Sequence, residues 1–358
     1  MVAQTHSPSL GGGYAEDRVA WIDIAKGLCI VMVAATHATL GVGEAMGDEG
    51  FMHLVVAFTR PFRMPEFFLI SGLFLARVID RDWRQYGDRR VVHFLYFYLL
   101  WLLIHSALKF NQVSGGTAVG FLEHLAFSLV EPFSILWFIY ILAVFSVVTK
   151  LLRRVYPPVL LAAAAALEIA PIETGWYLLN EFCNRYVYFV AGYCLAPHVF
   201  RLAEWAGAQR GPALLALAAW AVVNGWFTLT PSGLDGFPTL ATLPVVSLVL
   251  GAAGVAATVL ISVLLARTVL AAPLRYVGEQ ALAIYLMLVI PMAATRIVLL
   301  KSGLVQDVGL VSLIVTAAAV IVPVVVQRLV RHTPASFLFR RPAAFRIDRP
   351  KAAQVQAA

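Results

Sequence analysis

The sequence predicts an all-α integral membrane protein of about ten transmembrane helices, with both termini in the cytoplasm. Three observations carry that prediction. Of the 358 residues, 61% are hydrophobic and only 13% charged, roughly half the charged share of an ordinary soluble domain, and the mean hydropathy is +0.82. Apolar runs of membrane-crossing length recur along the chain. The basic residues collect in alternate loops between those runs, where they set orientation. For the same reason the net charge of +7 does not point to nucleic acid. Cys29, Cys183 and Cys194 all fall in apolar segments, so no disulfide framework is indicated.

Taken in order, residues 1–17 are polar and Gly-rich and read as a disordered cytoplasmic tail. Arg18 onward imitates a signal peptide, but Asp23 and Lys26 interrupt its apolar run, so a retained first span is expected over 19–40. A short acidic loop precedes span 2 at 52–77, which Pro61 and Pro65 should kink because each removes a backbone donor. The loop 77–90 is dense in charge, and the aromatic-rich span 3 covers 91–108. Residues 109–131 are too polar to span. Span 4 is expected at 133–149, a short alanine-rich span 5 at 156–170 and span 6 at 182–199. Span 7 at 212–229 and span 8 at 240–266 flank the turn-rich TPSGLDGFP. Span 9 at 275–299 and span 10 at 307–327 complete a membrane domain over 18–330, followed by a basic cytoplasmic tail over 331–358.

Loop charge orders these spans. One set of loops holds Arg77, Arg81, Arg84, Arg89 and Arg90, then Lys150, Arg153 and Arg154, and later Arg201, Arg210, Arg267 and Arg275. The opposite loops hold only Lys109 and Lys301, beside Glu44, Asp48, Glu49, Glu173 and Asp235. The positive-inside rule then places both termini in the cytoplasm. No soluble domain, internal repeat or inverted-repeat symmetry is visible.

The chemistry concentrates in the first two spans. On a helix, the eleven steps from Lys26 to His37 end only about 20° past three full turns, with about 16 Å of rise, so both share one face with Asp23. Ionisable groups inside a membrane usually face a cavity or a partner. Snorkelling of Asp23 and Lys26 with a structural His37 is the plain alternative. Asp23 is too far from His37 to orient it and is expected to pair with Lys26 at i, i+3. Histidine titrates near neutrality, which suits general base work. Arg60, Arg63 and Glu66 repeat every third position in span 2. Glu66 can neutralise at most one arginine, which leaves an arginine to bind an anion or shape a site. Ser71 with Gly72 offers a nucleophile and a turn, or small residues for close packing. Arg89 and Arg90 at the mouth of span 3 can clamp phosphate or set topology. Trp137 and Tyr140 in span 4 fit a site or an aromatic belt, and Arg185 and Arg296 can snorkel or help bind an acceptor. His53, His93, His105 and His124 lack metal-ligand spacing, so no metal is expected.

With these residues in place, the chain resembles the acyltransferase-3 family of membrane O-acyltransferases. That family carries a basic residue ten intervening positions before a histidine in its first span, matched by Lys26 and His37. Its FRMPxFFxISGxL segment is matched from Phe62 to Leu73. Arg89 and Arg90 are similar to its basic entry to span 3, and LWFIY at 136–140 to its LWFL element. LRYVGEQALAIYLM at 274–287 resembles its late glycine and IYLxH signature, although Met287 stands where the histidine would be. His93 stands where a third loop arginine would be. The IDIAKG opening resembles the fucose-4-O-acetylase-like branch, which lacks a fused periplasmic domain.

The resemblance implies transfer of an acyl group, commonly acetyl, from acyl-CoA to a carbohydrate hydroxyl on a glycan or lipid-linked sugar in the bacterial inner membrane. His37 would be general base or transient acyl carrier. Lys26, Arg89 and Arg90 would hold the CoA phosphates, while Arg63 and Glu66 shape the acyl path. The competing reading is a transporter or flippase for an envelope glycan or anionic metabolite, with the buried charges lining its path. Transporters more typically show repeats and matched broken helices. A glycan polymerase is a smaller third possibility, lacking a large periplasmic loop here.

Overall fold

The computed structural model describes residues 12–348. The expected tails therefore lie in part outside the described residues, at 1–11 and 349–358. Helix α1 (Gly12–Met46) is the axis of the bundle. It starts inside the segment expected to be a tail and continues six residues beyond the expected end of span 1.

Span 2 is not one helix. α2 (Phe51–Thr59) stops before Pro61, and α3 (Arg63–Leu73) resumes after a turn, the break expected where proline withholds a donor. A bend and turns over 74–81 lead to α4 (Trp83–Gly87), a π-helical turn at Asp88–Val92 and α5 (His93–Leu108), which run together as one apolar rod. Two short helices, α6 (Phe110–Ser114) and α7 (Ala118–Phe127), fill the polar stretch that follows. α8 (Trp137–Leu151) is span 4.

Span 5 keeps its expected bounds and shortness, while span 6 departs from expectation. α9 (Pro157–Ile169) has 13 residues, about 20 Å of rise against a hydrocarbon layer of about 30 Å. α10 (Tyr177–Cys194) begins five residues early and ends before Pro197, and an unexpected helix, α11 (Ala196–Ala208), follows at once. α12 (Arg210–Leu229) is span 7. The TPSGLDGFP turn forms a small antiparallel hairpin, β1 (Pro231–Leu234) and β2 (Phe237–Thr239), paired Pro231 to Thr239 and Leu234 to Phe237. α13 (Pro244–Leu265) is span 8.

Span 9 is also broken, into α14 (Ala271–Glu279), α15 (Ala281–Met287) and α16 (Val289–Ser302), with a 55° bend between the last two. α17 (Val308–Val330) is span 10. Among the described residues six helices are long and apolar enough to cross a membrane, seven if the bent α15–α16 pair is one span. The chain is thus an all-α multi-pass membrane protein apart from one hairpin.

α1 packs against α14, α17, α13 and α3, while α10 packs against α3 and α9. Two crossings are so tight that only glycine fits. A β-carbon on Gly278 would lie 1.7 Å from the Asp23 carbonyl oxygen, and one on Gly27 would lie 2.2 Å from that of Leu274. Gly72 and Gly192 oppose each other likewise, each facing a backbone carbonyl at 2.2 Å. Beside these crossings lies an aromatic core in which the Phe138 ring meets Phe67 and Phe68 at 5.0 Å and Tyr285 at 5.5 Å.

The segment after α17 turns back onto the bundle as a strap. Trp101 Nε1 donates to the Leu338 carbonyl at 3.0 Å and the Tyr96 hydroxyl to that of Phe337 at 3.0 Å. Arg341 is buried: its guanidinium donates to the Asp88 carbonyl at 2.9 Å and to the Asp88 carboxylate at 2.7 Å. Lys150, expected in a loop, is likewise buried and donates to the carbonyls of Ile79 and Arg81 at 2.6 Å each. Both bury a cation because each finds oxygen partners that offset its desolvation.

Candidate active site

α1 sets the site's axis. At its basic end Lys26 donates to Asp23 at 2.9 Å, the i, i+3 pair expected from spacing. Three turns on, His37 lies half-buried in a cavity of about 30 Å³, walled by Val33, Met64, Phe67, Trp137, Phe138 and Tyr285. Among the described residues the imidazole makes no hydrogen bond to another side chain or to the backbone. The walls come from four sources: α1, the FRMPEFF segment, the start of α8 and the late IYLM run. The Tyr285 hydroxyl donates to the Ile135 carbonyl, which fixes that ring against the cavity. Trp137 shows its far side to the exposed ring of Tyr177 at 5.8 Å, and the Tyr177 amide donates to Glu131 at 2.8 Å. The cavity therefore adjoins a polar surface on that side.

α3 brings charge beside this cavity, although not as the spacing implied. Arg63 does not pair with Glu66. Its guanidinium reaches back over the helix break towards the Val56 carbonyl at 3.5 Å. The Arg185 and Arg60 charges lie within electrostatic reach of it, and its own charge reaches His37. Arg185 is matched by Glu181 at 3.2 Å. Glu66 is buried with neither carboxyl oxygen accepting a hydrogen bond. The Thr258 hydroxyl and Cys29 thiol face it, but they donate to the Gly254 and Arg63 carbonyls at 2.9 Å each. Ser71 back-bonds to the Phe67 carbonyl at 2.8 Å, which occupies its hydroxyl proton as a packing serine would.

Arg89 and Arg90 sit on the π-helical turn, Arg89 exposed and Arg90 half-buried. Such turns widen a helix by one residue and re-aim its side chains. The turn is held from outside by the Asp88–Arg341 pair, and the Ile347 amide also donates to Asp88 at 2.7 Å. The structure thus gathers His37, Trp137 and the Arg63 neighbourhood, while Lys26 and Asp23 stand apart towards the basic end. Among the described residues no cluster of three metal-type ligands occurs.

Several contributors escaped sequence reasoning. Tyr285 lay in the resembling IYLM run, so a signal existed. Asp88 and Arg341 are 253 positions apart and gave none. His105 Nε2 donates to the Leu286 carbonyl at 3.1 Å, at the α15–α16 bend and next to Met287.

The chain is 24% identical over 238 residues to the inner membrane protein YcfT of Escherichia coli (strain K12), covering 59% of this chain. The chain spans 66% of that relative's length. No solved structure matches. A family model described as an acyltransferase domain matches residues 19–328, which takes in α1, the broken span 2, the π-helical turn and the whole bundle up to α17. By that match the chain belongs to the acyltransferase-3 family of membrane acyltransferases.

Proposed function

We propose that this protein is an O-acyltransferase of the bacterial inner membrane, moving an acyl group, acetyl in the simplest case, from a cytosolic acyl-CoA to a carbohydrate hydroxyl of the cell envelope. The observation that carries the reading is the His37 cavity. An imidazole without side-chain or backbone partners is free to take a proton, and it is framed by the chain's most distinctive motifs. The inner-membrane assignment draws on the relative YcfT, an inner membrane protein.

In this reading the donor enters from the basic end, which is cytoplasmic in a ten-span topology. Lys26 and the Arg89–Arg90 pair meet its phosphates. His37 takes the proton of the acceptor hydroxyl as that oxygen attacks the thioester carbonyl. The C–S bond breaks as the tetrahedral intermediate collapses, and His37 returns the proton to the departing CoA sulfur, which leaves as the thiol towards the basic end. The small aromatic cavity excludes water, which would otherwise compete as acceptor. Arg63, close enough for its charge to be felt at His37, offers positive charge to the developing oxyanion. Arg185 and the Tyr177 surface lie on the acceptor side.

The broken spans 2 and 9 are what a transporter reading would invoke. In a five-plus-five repeat, however, span 2 corresponds to span 7, and α12 is unbroken. Mass spectrometry of envelope glycans from cells with and without the gene tests the proposal. A lost increment of one acyl group is expected, and identical glycan masses with altered export of an unmodified glycan would refute it.

A further inference from the structure

The strap that follows α17 does more than cover the bundle. Between it and the end of α17 lies a cavity of about 430 Å³, lined by Gln327, Arg331, His332, Ser336, Phe339 and Arg340 among others. No acidic side chain lines it. Arg331 Nε donates to His332 Nε2 at 2.7 Å. That contact holds the guanidinium in place. The terminal nitrogens of Arg331 and the Arg340 side chain form no hydrogen bond or ion pair among the described residues. Two positive forks therefore face a space with no anion of the protein's own.

The walls are fixed in advance. Trp101 and Tyr96 hold the backbone at Leu338 and Phe337, and Arg341, next to Arg340, is buried against Asp88. A cavity whose walls are already ordered loses little entropy on binding. It also lies where α17 leaves the apolar layer, and beside it Leu329 and Phe337 are 70% and 41% exposed. Basic forks next to exposed apolar side chains, at a helix end, suit a ligand with an anionic head.

We propose that this cavity is a binding site for a phosphate ester. Arg331 and Arg340 take the phosphate oxygens in the bidentate manner guanidinium favours, and Gln327 and Ser336 face the adjoining hydroxyls. The headgroup of an anionic phospholipid and the phosphates of a soluble nucleotide such as coenzyme A share this chemistry. Exposed Leu329 and Phe337 favour the lipid. The site stands whether or not the chain transfers acyl groups.

The test uses the full chain in phosphatidylcholine nanodiscs. Thermal unfolding is followed as phosphatidylglycerol is introduced into the disc and, separately, as coenzyme A is added to solution. One of the two ligands is expected to stabilise the protein, and the double variant Arg331→Gln with Arg340→Gln to lose at least tenfold in apparent affinity. A response to phosphatidylglycerol assigns the lipid, and one to coenzyme A the soluble ester. Arg328→Gln, an exposed arginine outside the cavity, should bind as the parent does. The proposal is overturned if neither ligand stabilises the parent, if the double variant binds undiminished, or if Arg328→Gln weakens binding equally. Size-exclusion profiles of all three proteins separate lost binding from lost folding.

Discussion

His37 faces its cavity with no hydrogen-bond partner and no neighbouring carboxylate among the described residues. His37→Gln keeps hydrogen bonding but cannot take a proton, and glycan acylation should fall by roughly 10²–10⁴ at unchanged membrane abundance. A Gln variant with substantial acylation would remove the catalytic assignment. Lys26→Ala should act differently, raising the KM for the acyl-CoA donor with little change in kcat, since phosphate contacts persist from ground to transition state. A donor titration that coincides with the parent's would displace Lys26 from the donor path. The two i, i+3 pairs show what spacing conveys. In Asp23–Lys26 the basic residue lies C-terminal to the acid, and side chains lean towards the helix start, so the pair closes. In Arg63–Glu66 the order is reversed and Arg63 opens its helix, so it leans over the break to Val56 instead.

The elements meet where side chains vanish. Gly278 belongs to the late motif, and its position is explained by the α1–α14 crossing rather than by chemistry: the Asp23 carbonyl occupies the place of a side chain. Gly278→Ala should lower the yield of folded protein, with overpacking of this kind costing about 1–3 kcal/mol. Gly211→Ala, where nothing lies within 4 Å, should be silent in the same detergent-stability assay. The π-helical turn can be tested through its tether. Arg341→Ala leaves Asp88 as an unpaired buried charge, a loss of about 3–5 kcal/mol, whereas Arg341→Ala combined with Asp88→Ala should recover much of it. Apolar runs and prolines made most helices and the span 2 break legible. The α15–α16 bend also has a proline behind it, since Pro291 has no N–H for the Met287 carbonyl four residues back and crowds it, but the partner at the bend, His105, comes from α5 and gave no signal.

At the scale of the whole molecule, alternating loop charge predicts the orientation on which the proposed function depends. Reporter fusions at Asp48, Glu173 and Asp235 should read as external, and fusions at Arg84 and Arg153 as cytoplasmic. A cytoplasmic signal at Asp235 would overturn the ten-span order. Sequence conveyed which segments are apolar and which end is basic, since both are local properties. It could not convey the strap, whose contacts join residues some 240–260 positions apart. That separation also sets a clock. Ribosomes add about 5–20 residues per second, so the interval between the emergence of Asp88 and that of Arg341 is about 13–50 s. Throughout it the turn carrying Arg89 and Arg90 lacks its tether, while the first span with Lys26 and His37 has long been made. The π-helical turn is therefore among the last parts of the described bundle to be tethered, and a ribosome stalled before Arg341 would display inserted spans with that turn unheld.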